Sequence, residues 1–186
     1  MNQFKSYLLL LLVVGCAHGK MGNIAKPLSG GSLSNAESIS VTTVSASDAL
    51  FSGDKSGDPA RVAQSRAEIE DKFSKMIVEA LRKKGYTADL ANKSGKKNKL
   101  TLSGKVSQVK NGSSAARMLV GMGAGSAKMF TNFKLTNSKT NEVISEFEII
   151  ATSGGRGGVF AAGSFMSAHL TDGSNKVAEY FVGKKK

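Results

Sequence analysis

The sequence predicts an α+β domain: a mostly antiparallel sheet of about five strands with two helices packed on one face, in the order β-α-β-β-β-β-α. Three observations support this fold class. A segment near residues 59–84 repeats apolar residues every three or four positions, three later segments alternate apolar and polar residues, and a second helical stripe lies near the end of the chain. We assign this single domain to residues 39–186.

Residues 1–15 are typical of a secretory signal peptide. Lys5 precedes an unbroken apolar run over residues 7–14, which is too short for a transmembrane helix of about 20 apolar residues. Residues 13–16, VVGC, resemble the lipobox of bacterial lipoproteins, in which the cysteine receives diacylglycerol before the signal is removed. Cys16 is the only cysteine in the chain. A buried core cysteine is the alternative explanation, and we predict lipidation.

The segment after the signal, residues 16–38, is predicted to be a lipidated N-terminus and a flexible tether. It is rich in Gly, Ser, Ala and Asn and has no apolar period. Lipoproteins of this type carry two or three acyl chains, which is enough for stable membrane anchoring. Because Ala17 rather than aspartate follows the cysteine, we expect an outer-membrane lipoprotein that faces the periplasm.

The chain is strongly basic, with a formal net charge of +12. Removal of the signal deletes Lys5 alone, so 25 of the 26 basic residues remain against 14 acidic ones. Such a charge favours an anionic partner, either an envelope protein or an anionic envelope polymer, although a solvated basic surface is the simpler explanation. Nucleic acid is not expected, because the chain has no tryptophan and few lysines stand beside aromatic residues.

The first strand and the first helix have clear boundary signals. Residues 39–44, ISVTTV, are rich in β-branched residues and predict strand one. Asp58 fits a helix N-cap with Pro59 at the first helical position, and Gly85 fits a left-handed C-cap. One apolar stripe runs between these caps: Val62, Ile69, Phe73, Met76, Ile77, Ala80 and Leu81.

Four further strands and a second helix should follow. Residues 86–90 predict a short strand two, and 137–142 have the composition of a hairpin turn. Strands three to five carry alternating apolar residues: Leu100, Leu102 and Val106, then Met129, Thr131, Phe133 and Leu135, then Val143, Phe147 and Ile149. Met166, Leu170, Val177 and Phe181 predict the last helix, which we expect Gly173 to weaken or break.

A glycine-rich motif precedes strand four. Residues 117–130 read RMLVGMGAGSAKMF. The pattern Arg117-x-Leu-x-Gly121-x-Gly123-Ala-Gly125, preceded by LSGKV at 102–106 and followed by an alternating strand, resembles a bacterial lipoprotein family catalogued as a domain of unknown function (DUF4410). The family usually has glycine in the turn before strand five, where this chain has Asn141, which also tolerates a left-handed conformation. The resemblance implies a lipid-anchored envelope protein of similar fold and brings no established activity.

The glycines do not match a phosphate-binding loop. Dinucleotide and P-loop motifs lie between a strand and a helix, whereas these glycines lie between two predicted strands. We expect a close-packed or bent start of strand four, and a membrane-contacting loop is the alternative. Gly154 and Gly155 belong to a second glycine-rich stretch after strand five. Arg117 would either bind an anion or donate to free carbonyl groups at the bend, and we favour the structural role.

Little in the sequence suggests catalysis. Its two histidines are His18, beside the lipidation site, and His169, which we expect at a surface or edge. Glu146 and Glu148 share one strand face and are explained by a solvated sheet. We therefore predict no enzyme, no cofactor and no metal site, and expect a non-enzymatic binding or assembly module. The alternative is a subunit of an oligomeric envelope complex or secretion channel.

The connectivity also predicts how the loops are sorted. With strand two parallel to strand one and alternating directions thereafter, the stretches that contain Gly123 and Gly155 share one end of the sheet with the incoming tether. The lysine-rich turns at 93–99 and Lys139 should gather at the opposite end with residues 184–186. This arrangement predicts a bipolar domain.

Overall fold

A computed structural model describes residues 19–91, 98–112, 126–152 and 165–183. It confirms an α+β fold with two helices, but the sheet has seven strands and is mixed. In chain order the elements are β1 (Lys20–Lys26), β2 (Ser38–Val41), β3 (Leu50–Ser52), α1 (Pro59–Lys83), β4 (Thr87–Leu90), β5 (Leu100–Lys110), β6 (Lys128–Asn137), β7 (Val143–Thr152) and α2 (Phe165–Val182).

The strand order differs from the predicted meander. The path through the sheet is β1-β7-β6-β5-β2-β4, and β3 pairs with β5 off this path. β4 runs parallel to β2, as predicted, but β5 is also parallel to β2 and lies on its other side. The sheet is therefore antiparallel from β1 to β5 and parallel from β5 to β4.

The strand at one edge, β1, lies where the sequence predicted a flexible tether. Residues 20–26 pair antiparallel with β7, and Met21 packs against the core. The Ser145 hydroxyl donates to the Lys26 carbonyl oxygen over 2.8 Å. Most side chains of β1 are exposed, so backbone pairing holds this strand in place. An apolar pattern cannot reveal a strand of this kind.

Both helices follow the predicted positions. The Asp58 carboxylate accepts from the backbone N–H of Ala60 and Arg61 at the start of α1. Gly85, at φ +88°, follows its end in the left-handed conformation. α2 is continuous through Gly173, so the expected break is wrong. A Cβ at that position would lie 2.9 Å from Phe73 Cζ, and glycine there allows α2 to approach α1 closely.

The core lies between the helices and one face of the sheet, which we call the inner face. Phe73 of α1 meets Phe133 edge-on at 6.1 Å, and Phe133 stacks on Phe147 at 5.5 Å. The expectation that His169 lies at a surface or edge is wrong, because its side chain is 0% exposed. Since α2 packs against both β7 and α1, a wide arc of that helix is buried.

The turn between β6 and β7 agrees with its predicted chemistry. Asn141 has φ +58°, so asparagine adopts the left-handed conformation there. The Asn137 side chain accepts from the backbone N–H of Lys139 at 2.9 Å. The two long strands are thereby joined tightly, and their side chains alternate in register between the two faces.

Candidate functional site

The predicted site residues all lie outside the described part of the chain. The set comprises the proposed lipidation site, the arginine of the glycine motif and glycines from the two glycine-rich stretches: Cys16, Arg117, Gly121, Gly123, Gly125, Gly154 and Gly155. The structure does, however, fix the strand ends from which these segments depart.

Both glycine-rich segments depart from one end of the sheet. Lys110, the last residue of β5, pairs with Lys128, the first of β6, and Lys128 pairs with Thr152, the last of β7. The prediction of a shared end therefore agrees with these strand ends. The predicted strand directions behind it were partly wrong, because β5 runs parallel to β2.

The chain also enters the sheet at this end, which we call the Gly19 end. The Gly19 N–H donates to Asp172 Oδ1 at 3.3 Å, and the Thr152 N–H donates to Asp172 Oδ2 at 2.7 Å. A Cβ on Gly19 would lie 2.0 Å from Asp172 Oδ2, so a larger residue would displace this contact. Asp172 thus ties the start of β1 to the end of β7 and to α2. No sequence pattern singled out Asp172.

The opposite end holds the β6–β7 turn, and we call it the hairpin end. The Ser138 N–H donates to the Lys99 carbonyl oxygen at 2.9 Å, so Lys99 and Lys139 lie there, as predicted. The predicted segregation of lysines is only partly correct. Lys110 ends β5 and Lys128 begins β6, and both lie at the Gly19 end, which is therefore basic as well.

The face of the sheet away from both helices, which we call the outer face, forms a shallow open depression of about 580 Å³. The Lys134 ammonium lies 2.7 Å from the Glu146 carboxylate of the neighbouring strand. At one side of the depression the Lys105 ammonium lies 2.7 Å from the Asp48 carboxylate. The hydrogen bond from Lys105 holds the pKa of Asp48 below its ordinary value. This surface presents these two ion pairs, the Glu148 carboxylate, which accepts from the backbone N–H of Asn23 at 3.4 Å, and the neutral side chains of Asn23, Ser103 and Asn132.

Towards the Gly19 end the outer face becomes apolar. Phe130 pairs with Ile150 on β7 and with Gln108 on β5, which in turn pairs with Leu50 on β3. Leu50 is 68% exposed, the largest value among the exposed large apolar residues of the described chain. The Lys110 ammonium lies 5.4 Å from the centre of the Phe130 ring.

Three further features of the described residues bear on function. In these ranges no group of three or more His, Cys, Asp or Glu residues is placed to hold a metal ion. Glu146 and Glu148 both line the outer depression, in agreement with the predicted solvated face. Neither described helix is long and apolar enough to cross a membrane.

Comparisons with known proteins identify a family and a fold. A family model described as a domain of unknown function (DUF4410) matches residues 34–158. The structure is similar to a PelC dodecamer variant from Paraburkholderia phytofirmans, with a TM-score of 0.54 and 14% identity over 90% of this chain and 99% of that one. A second PelC dodecamer structure from that organism has a TM-score of 0.51 and 14% identity, over 89% of this chain and 99% of that one. XCC0632 from Xanthomonas campestris (DUF330) has a TM-score of 0.49 and 12% identity, over 87% of this chain and 90% of that one. No curated protein matches the sequence.

Proposed function

We propose, from the premise that this chain belongs to the DUF4410 family, that it is a lipid-anchored, non-enzymatic binding or assembly module of the bacterial envelope. In this proposal Cys16 carries the lipid, the domain faces the periplasm, and the partner is an envelope protein or an anionic envelope polymer. The signal-like residues 1–15 and the VVGC sequence support the anchor.

The open outer face is the observation that carries the binding half of the proposal. No described helix covers it, although it spans the four long antiparallel strands of the sheet. Its lysines, Lys105 and Lys134, are already paired with the carboxylates of Asp48 and Glu146. A surface of paired charges and neutral hydrogen-bonding groups suits recognition of a polar partner.

A ring-forming subunit is the second candidate function. It is favoured by one observation: the two PelC structures that share this fold are described as dodecamers. In such an assembly the outer face or an edge strand would meet a second copy of the chain. Native mass spectrometry of the detergent-solubilised protein separates the two candidates, because a ring gives one discrete high oligomer and a solitary module gives a monomer.

Lipidation is tested by Cys16→Ala, with Ala17→Ser as the matched control that keeps the thiol. We expect Cys16→Ala to accumulate as an unprocessed or soluble form, while the control is processed and remains in the membrane fraction. Intact mass and fractionation measure both outcomes. Normal processing and retention of Cys16→Ala would refute the anchor.

Binding through the outer face is tested with a photoreactive side chain at position 132, on the outer face. The matched position is Lys72, on α1 and exposed to solvent. We expect a specific crosslink in whole membranes from position 132 and none from position 72. Equal crosslinking from both positions would contradict recognition through this face.

A further inference from the structure

We propose that the Gly19 end of the outer face is a membrane-contact surface for anionic lipid headgroups. This inference rests on the proposed lipid anchor and adds to it an orientation and a chemical preference. The surface, which we call the headgroup patch, consists of six residues on five strands: Lys20, Leu50, Lys110, Lys128, Phe130 and Ile150.

The register places the six residues on one face. Leu50 is paired with Gln108, Gln108 with Phe130, Phe130 with Ile150, and Ile150 with Lys20. Paired residues on neighbouring strands point to the same side of a sheet. Lys110 and Lys128 pair with each other two residues nearer the end of their strands, so they point to that side too. The patch is a row across the sheet, bordered by lysines at its outermost edge.

The charges of the patch differ from those in the middle of the outer face. Lys134 and Lys105 each lie 2.7 Å from a carboxylate. In contrast, no carboxylate of the described residues lies within 4.0 Å of the ammonium group of Lys20, Lys110 or Lys128. Three lysines without a counter-ion in the described chain therefore occupy the same border of the sheet.

Apolar side chains accompany these lysines. Leu50 is largely exposed, and Phe130 and Ile150 are half-buried. The Lys110 ammonium lies 5.4 Å from the centre of the Phe130 ring, so a positive charge lies directly beside an apolar side chain of the patch. Lysines beside exposed apolar residues are typical of surfaces that lie at a membrane interface.

The short connection between Cys16 and Gly19 indicates that the anions facing the patch are lipid headgroups. Two residues separate Cys16 from Gly19, so this connection spans at most about 10 Å. Asp172 fixes Gly19 to α2 and to the end of β7. A lipid on Cys16 therefore holds this end of the sheet at the membrane surface, where each lysine near anionic lipid contributes about fivefold in partitioning. The headgroups of the leaflet that holds the anchor are the anions that the patch meets.

The orientation is measured on the lipidated protein in vesicles of phosphatidylethanolamine and phosphatidylglycerol. Because the Cys16 sulfur is a thioether in that form, a cysteine introduced by Leu50→Cys or, at the hairpin end, by Lys139→Cys is its one reactive thiol. A fluorophore at position 50 should be quenched by headgroup-spin-labelled lipid several-fold more strongly than one at position 139. Equal quenching at the two positions, in protein shown by mass to be lipidated, overturns the inference and leaves the proposed function intact.

The charge requirement is measured separately on the mature chain, residues 16–186, carrying Cys16→Ser. The triple variant Lys20→Gln, Lys110→Gln and Lys128→Gln should lower the bound-to-free ratio on these vesicles by about 100-fold, from about fivefold per lysine. The matched triple Lys83→Gln, Lys84→Gln and Lys139→Gln removes the same charge outside the patch and should have a much smaller effect. Equal losses in the two triples, or no vesicle binding at all, overturn the patch. Absence of lipid on Cys16 refutes only the anchor, since this second assay needs none.

Discussion

The two faces of the sheet are built from the same strands and serve different purposes. Along β6, Met129, Thr131, Phe133 and Leu135 are buried on the inner face, while Asn132 and Lys134 are exposed on the outer face. The inner face determines stability through packing. The middle of the outer face carries the exposed ion pairs of Lys105 with Asp48 and of Lys134 with Glu146, and such pairs contribute little to folding. This difference predicts that stability and binding can be altered independently.

The largest effect is expected from Phe133→Ala on the inner face. The ring contacts Phe73 and Phe147, and its removal leaves a cavity in the core. The free energy of unfolding should fall by about 3–5 kcal/mol. Asn132→Ala, one residue away on the outer face, should change it by less than about 0.5 kcal/mol. Chemical denaturation measures both, and similar losses for the two variants would remove the distinction between the faces.

The next effect concerns the closeness of the two helices above the inner face. In Gly173→Val the new side chain would press on Phe73 and on Ala151, whose Cβ would lie 3.4 Å from the added Cβ. Overpacking of this kind costs about 1–3 kcal/mol. Asn175→Val, on an exposed position of α2, is the control and should be nearly neutral. A stabilised Gly173→Val protein would show that the helices can separate without loss.

The sequence predicted elements whose stability comes from buried apolar side chains. The caps of α1 and the alternating strands β5, β6 and β7 fall close to their predicted positions. β1 and β3 were missed because one is held mainly by its backbone and the other has only three residues. Asp172 and the headgroup patch were also missed, since they join residues far apart in the chain. Only the register of the sheet brings such residues together.

A smaller effect is expected for the cross-strand pair of Lys134 and Glu146 on the outer face. Both side chains are partly exposed, and exposed ion pairs contribute about 0.2–1 kcal/mol. A double-mutant cycle with Lys134→Gln and Glu146→Gln, read from denaturation midpoints, should return a coupling energy in that range. A coupling as large as the Phe133→Ala effect would contradict the view that the outer face contributes little to stability.

The free energy of unfolding, measured by chemical denaturation at a series of pH values, reports on a residue from each side of the sheet. Burial raises the pKa of Tyr86 above its ordinary 10.0. The contribution of the protonated Tyr86 side chain to the free energy of unfolding is therefore complete below about pH 10, and it is lost as pH rises through the folded-state pKa. Lys105 lowers the pKa of Asp48 from 3.8, so that contribution is present above about pH 3.8 and is lost as pH falls through the folded-state value. Tyr86→Phe should remove part of the alkaline loss, and Asp48→Asn should remove a small part of the acid loss.

The pairing of β1 with β7 has a consequence for the order of folding. β1 is the first strand along the chain, yet its partner residues lie far away in sequence, since Lys20 pairs with Ile150. Contacts between such distant segments form slowly, because the entropy cost of closing a long loop comes before the favourable contacts are made. Until β1 docks, the edge of β7 presents unpaired backbone groups that invite pairing with another chain. A chain in which β7 has formed but β1 has not yet docked therefore has an open edge, which closes only when these two strands pair.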